Sequence, residues 1–223
     1  MKHSVWLRIL LTTSVLFGHN AGSIAQSTSA GPLKVIVLAQ SPAETKTDLQ
    51  IFCLFRSSPS NPLHGSLIEI NERLHGLLDQ LRAPGLFNGD VGETILLIPP
   101  AGTVAAKKIL IIGLGDSSSF TPARMYLVGK IALREANRLG IAHPYFAPTI
   151  LDGGVTNFST ADVAEQVVRG LRDGLAAEWL LRANSAAGPL AVSDFTFLAG
   201  TTHAADTQDG INRALGLSAL PTR

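Results

Sequence analysis

Between residues 33 and 217, short runs of aliphatic and β-branched residues alternate with stretches of helical periodicity, and this alternation limits the fold more than any other feature of the chain. The runs predict strands at Leu33 to Ala39, Asp48 to Phe55, Thr94 to Ile98, Lys108 to Ile112, Ala147 to Ile150 and Phe195 to Leu198. Helical patterns lie between most of them. Strands that alternate with helices pair in parallel, because each connection must cross back over the sheet, and the helices then cover both faces. The expected class is α/β, with a largely parallel sheet buried on both sides.

The helices are marked by their apolar stripes. Over Ser66 to Arg82, Leu67, Ile70, Leu74, Leu77, Leu78 and Leu81 recur at i, i+3, i+4 spacing, opposite Glu69, Glu72 and Arg73, which read as a solvated face. A second helix runs from Pro122 to Leu139, with Thr121 as its cap and Gly140 as its stop. A third and longest one follows Ser159-Thr160-Ala161-Asp162, a capping-box pattern with Asp in the place of Glu, and carries Ala164, Val167, Val168, Leu171, Leu175 and Trp179. A weaker last helix spans Asp206 to Leu215.

The N-terminus reads differently. Lys2 and Arg8 lead into the apolar run Ile9 to Phe17, and Ser23-Ile24-Ala25 forms a small-x-small triplet before Gln26. This is the layout of a cleavable secretory signal, with cleavage expected after Ala25 and an exported, periplasmic or secreted product. A run of nine residues at about 1.5 Å each is too short to span the roughly 30 Å of a bilayer core, so no membrane span is expected after cleavage. Residues 26–32 read as a flexible leader, residues 33–217 as one domain and residues 218–223 as a tail.

Removing residues 1–25 takes two of the 18 Lys+Arg and none of the 17 Asp+Glu, leaving a nearly neutral domain of 16 against 17. Nucleic-acid binding demands clustered basic residues, and the densest basic spot is Lys107-Lys108, a loop before a strand. No nucleic-acid partner is therefore expected. One cysteine, Cys53, excludes an internal disulfide, so the hydrophobic core must hold the domain. Cys53 sits within Ile51 to Phe55 and reads as a buried structural thiol.

Two glycine turns stand at strand ends, where open α/β sheets gather their ligands. Gly113-Leu114-Gly115-Asp116 follows the apolar strand Ile109 to Ile112, and Asp152-Gly153-Gly154 follows Thr149-Ile150. Such turns can offer backbone N–H groups to an anion, or they can simply be tight turns with glycine supplying positive φ. The candidate ligand-binding residues are accordingly Gly113, Gly115, Asp116, Asp152, Gly153 and Gly154. His64, His75, His143 and His203 form no metal-ligand spacing and read as surface or capping residues. No nucleophile elbow, His-Glu-x-x-His, Cys-x-x-Cys or Walker loop occurs, so no catalytic and no metal-binding residue is assigned.

Leu86-Phe87-Asn88-Gly89-Asp90-Val91-Gly92-Glu93-Thr94, followed by Lys107-Lys108-Ile109-Leu110-Ile111-Ile112-Gly113-Leu114-Gly115, resembles the N-terminal domain of the leucine aminopeptidase family, peptidase family M17. The resemblance extends over roughly residues 33–217. It implies a macro-domain-like, three-layer α/β/α sandwich with a mostly parallel mixed sheet, used as a regulatory or assembly module. Catalysis in that family belongs to a separate C-terminal domain with two divalent metals, whose "asn-thr-asp-ala-glu-gly-arg-leu" stretch does not occur here. The expectation is a stand-alone, non-catalytic, protein-binding module with no cofactor and no divalent metal of its own. A macro-like nucleotide or phosphate binder, and the non-catalytic half of a split metalloaminopeptidase completed by a separately encoded subunit, are the alternatives.

Overall fold

The computed structural model describes residues 33–58 and 62–217. The expected signal segment, leader and C-terminal tail lie outside the described residues. Six strands form one sheet: β1 (Lys34–Ala39), β2 (Gln50–Leu54), β3 (Thr94–Leu97), β4 (Ile109–Gly113), β5 (Tyr145–Ala147) and β6 (Asp194–Ala199). Their order is β1-β6-β5-β2-β4-β3, and every pairing is parallel except β3 with β4. The helices are α1 (Gly65–Arg73), α2 (Leu77–Arg82), α3 (Arg124–Arg138), α4 (Thr160–Ala183) and α5 (Ala204–Leu215).

Residue alternation along the central strands builds two cores. Ile51, Cys53 and Phe55 of β2 and its end, Leu110 and Ile112 of β4, and Phe195 and Phe197 of β6 point toward α3, α4 and α5. Their neighbours Phe52, Leu54, Ile109, Ile111 and Leu198 point the other way, toward α1 and α2. A side-chain period of two thus gives each strand an apolar face to both helical layers. Each fully buried Leu, Ile or Phe contributes on the order of 2 kcal/mol, and this takes the place of disulfides. Cys53 is fully buried among them, and that burial pushes its thiol pKa up.

On the larger helical layer, α3 and α4 cross with their backbones in contact. A Cβ on Gly129 would land on the carbonyl oxygen of Val167, and one on Gly170 on that of Tyr126, so only glycine permits the approach. Ser159 caps α4 by accepting from the Ala161 amide at 3.1 Å, while Asp162 pairs with Arg213 of α5 at 2.8 Å instead of closing a capping box.

Two elements differ from expectation. The stripe of residues 66–82 is two helices, because His75 (φ 55°) and Gly76 (φ 78°) both adopt left-handed backbone. The new helix start is held by Asn71, whose Oδ1 accepts from the Leu78 amide at 3.0 Å. The strand expected at residues 147–150 is instead Tyr145–Ala147, ended by Pro148 and by Thr149 at φ 50°. Thr149 nonetheless continues the ladder with its side chain: its hydroxyl donates to the Cys53 carbonyl at 2.7 Å and accepts from the Cys53 amide at 3.0 Å.

Candidate functional site

The carboxyl ends of β1, β6 and β5 open into a cleft of about 600 Å³. This falls in the range of small-molecule sites. Ser41 and Pro42 after β1, Thr201 and His203 after β6, and Pro148 to Asp152 after β5 form its rim, with Ser66 and Glu69 of α1 on one wall. Phe158 and the first turns of α4, through Thr160, Val163 and Ala164, form the opposite wall, and Thr207 of α5 closes the back.

The polar groups of the α1 wall are linked. Asp152 accepts the Ser66 hydroxyl through Oδ2, and its carbonyl accepts the His64 amide at 2.9 Å. The other carboxylate oxygen lies where a Cβ on Gly65 would stand, so the Asp152 side chain rests on the first residue of α1. His64, the residue before that helix, makes no side-chain cap, and the Asp152 carboxylate supplies the negative charge that a helix N-terminus favours. Glu69, one turn on, accepts Arg73 at 2.6 Å and the Ser41 hydroxyl at 3.2 Å. Two cleft hydroxyls are different. Thr160 Oγ1 is buried without a partner, and Thr207 is buried at 4 % exposure.

Of the residues singled out in the sequence, Asp152 lines this cleft, whereas Gly113, Gly115, Asp116, Gly153 and Gly154 do not. The amides of Gly153 and Gly154 close turns onto Thr149 and Leu151, and the Phe55 ring packs against Gly153.

The loop after β4 lies elsewhere and is filled by the chain itself. The Gly113 amide donates to Glu93 at 2.7 Å, Leu114 to Leu54 at 2.8 Å and Gly115 to Gly89 at 2.7 Å. A Cβ on Gly113 would fall on the Asp90 carbonyl oxygen, and one on Gly115 would stand 2.6 Å from Val91 Cγ2. The residues 89–91 turn therefore occupies the space in which a ligand would meet those amides. Arg124 ties the loop down from α3, donating to the Leu114 carbonyl at 2.6 Å, Asp116 at 3.1 Å and Ser119 at 2.8 Å. Asp116 caps the following 3₁₀ turn, and hydrogen bonds from the Ser118 hydroxyl and amide, both at 2.8 Å, hold its carboxyl below the usual carboxylate range.

Sequence reasoning did not find Ser41, Ser66, Glu69, Thr160, His203 or Thr207. Glu69 reads from the sequence as a solvated residue and His203 as a surface or capping residue, and both line the cleft. The strand-end rule applied to β1 and β6 would have pointed to Ser41 and His203. Among the described residues no group of three or more His, Cys, Asp or Glu is placed to hold a metal ion, and no helix is long and apolar enough to cross a membrane.

Comparison with known proteins accords with this architecture. Residues 51–176, more than half of the chain, match the model of the cytosol aminopeptidase family, N-terminal domain. A probable cytosol aminopeptidase of Roseiflexus castenholzii is 30% identical over 138 residues, covering 62% of this chain and 25% of that protein. The chain thus matches about a quarter of that relative's length. Among solved structures it is similar to a mutant of tomato leucine aminopeptidase, with TM-score 0.63 and 19% identity over 85% of this chain and 37% of that one. It is similar too to a Trypanosoma brucei macrodomain in complex with ADP-ribose, with TM-score 0.55 and 16% identity over 82% and 69% of the two chains. At such identities the structures speak for the fold alone, a macro-domain-like α/β sandwich. With the family match spanning more than half its length, the chain belongs to the cytosol aminopeptidase family, through that family's N-terminal domain.

Proposed function

We propose that this chain is an exported, non-catalytic binding module in which the aminopeptidase N-terminal fold holds a small organic ligand in the cleft at the carboxyl ends of β1, β6 and β5. The observation that carries this reading is the cleft itself: about 600 Å³, with an apolar floor and a few convergent polar groups at the strand ends. Peptide hydrolysis by this chain is not proposed: among the described residues no group of three or more His, Cys, Asp or Glu is placed to hold a metal ion. No cofactor is assigned to it. Ligand-detected NMR with a fragment library tests the reading. Hits should be displaced by Thr160→Trp, which fills the cleft from the partly exposed first turn of α4, and a library without a single displaceable hit at millimolar concentration would overturn it. Release of anilide from leucyl-anilide in the presence of Mn²⁺ or Zn²⁺ would overturn the non-catalytic part.

A second reading, docking to a separately encoded aminopeptidase subunit or another protein, is favoured by a different region. The edge strand β3 and the residue after it expose Leu96 (39 %) and Ile98 (78 %), apolar side chains at a sheet edge with no further strand among the described residues. Affinity capture with the tagged chain should then recover a specific protein, and Ile98→Lys should abolish recovery without affecting ligand binding in the cleft.

A further inference from the structure

Resting on the reading of the cleft as a ligand site, we infer that its ligand is a cationic amine with an apolar body, and that phosphate-bearing ligands are excluded. The charge on the walls decides this. Glu69 and Asp152 are the charged side chains that line the cleft, and no lysine or arginine does so among the described residues. Ser66 and Glu69 stand three residues apart on α1 and therefore share a face. The Ser66 hydroxyl donates to Asp152, so the two carboxylates lie on one wall. Arg73 pairs with Glu69 but is not part of the lining.

The start of α1 is where an anion would gain most, since amides and helix dipole converge there. In this chain the position is taken: the Asp152 carboxylate rests on Gly65 and is tied to Ser66. A phosphate brought to the same place would meet a like charge at contact distance, and His203 is the one basic side chain on the lining, with no lysine or arginine among the described residues to offset that charge. An ammonium group would instead gain from the Asp152 carboxylate, with Glu69, already paired with Arg73, as a second acceptor on the same wall. The rest of the wall suits the body of such a ligand, because Pro42, Ile150, Leu151, Phe158, Val163 and Leu198 are apolar. The unpartnered Thr160 hydroxyl supplies a place for one further polar group.

Calorimetry of the purified chain against tryptamine, with adenosine, ADP-ribose and inorganic phosphate in parallel, tests the inference. Tryptamine should bind at millimolar concentration or better, ADP-ribose and phosphate should give no heat, and raising the salt should weaken tryptamine. Asp152→Asn should weaken tryptamine about fivefold, the upper range for a partly exposed ion pair, and Glu69→Gln provides the same test should the first variant lose its fold. ADP-ribose binding more tightly than tryptamine, or tryptamine unchanged in both variants, would overturn the amine assignment while leaving the cleft as a ligand site. Adenosine as the sole binder would have the same meaning. No heat from any of these probes, together with an empty fragment screen, would overturn the cleft reading itself.

Discussion

The loops after β4 and β5 begin alike, each a glycine-bearing turn at the carboxyl end of a central parallel strand, and end as opposites. After β4 the Gly113, Leu114 and Gly115 amides are all spent on the chain's own carbonyls, and the residues 89–91 turn fills the space beside them. After β5 the chain turns away at Pro148 and Thr149, and a cleft remains. The difference lies in what faces each loop. β4 is flanked by β3, and the connection into β3 folds back over its end. β5 lies between β2 and β6, and the cleft opens on the side of β6 and β1. A glycine turn at a strand end is therefore not by itself a seat for a ligand: the glycine amides of both loops are spent on the chain's own carbonyls, and only after β5 does space remain beside the turn.

The largest effect should come from the filled loop. Gly113→Ala places a methyl group on a backbone carbonyl that cannot yield, and should destabilise the chain by about 3 kcal/mol or more, read as a lower urea midpoint. A midpoint within experimental error of the parent would show that the two loops are not packed differently. Next is the anchor of the open loop. Thr149→Val removes the hydroxyl that serves both the amide and the carbonyl of Cys53, leaving two buried backbone groups unpaired at a cost of about 2–3 kcal/mol. Ligand binding in the cleft should weaken with it.

Arg124→Met withdraws three carbonyl contacts from the filled loop and should cost about 2 kcal/mol, with ligand binding in the cleft unchanged. The two outcomes together separate the loops: one variant couples to the cleft and the other does not. The smallest effect is a pH dependence. The exposed Asp116 carboxyl has a folded pKa below its ordinary 3.8, so its contribution is present above that value and is lost as pH falls through the lower folded pKa. Acid unfolding of Asp116→Asn should be less steep below pH 3.8 than that of the parent, and its small loss of stability should already be present at pH 7.

The sheet and its two helical layers were legible because their signals are local. Alternation along Ile51 to Phe55 and Ile109 to Ile112 names both cores, and the stripe of α4 needs no partner to be seen. What was missed depends on pairing at a distance. Gly76 sits inside an unbroken leucine stripe, and only the reach of Asn71 to the Leu78 amide shows that a new helix starts there. Thr149-Ile150 has strand propensity, yet Thr149 extends the ladder with its hydroxyl rather than its backbone. Asp152 could be named from its strand-end position. Ser41, Ser66, His203 and Thr207 could not be joined to it, because the strand order β1-β6-β5 that gathers them is not written in any one segment.

Cys53 occupies a strand flanked on both sides, its backbone spliced by Thr149 and its side chain at zero exposure. No partial opening at the edges of the sheet would uncover it. As the chain's one cysteine, it is a built-in clock: the rate at which a thiol reagent marks it counts only those moments when the whole molecule comes apart, and needs no introduced label to do so.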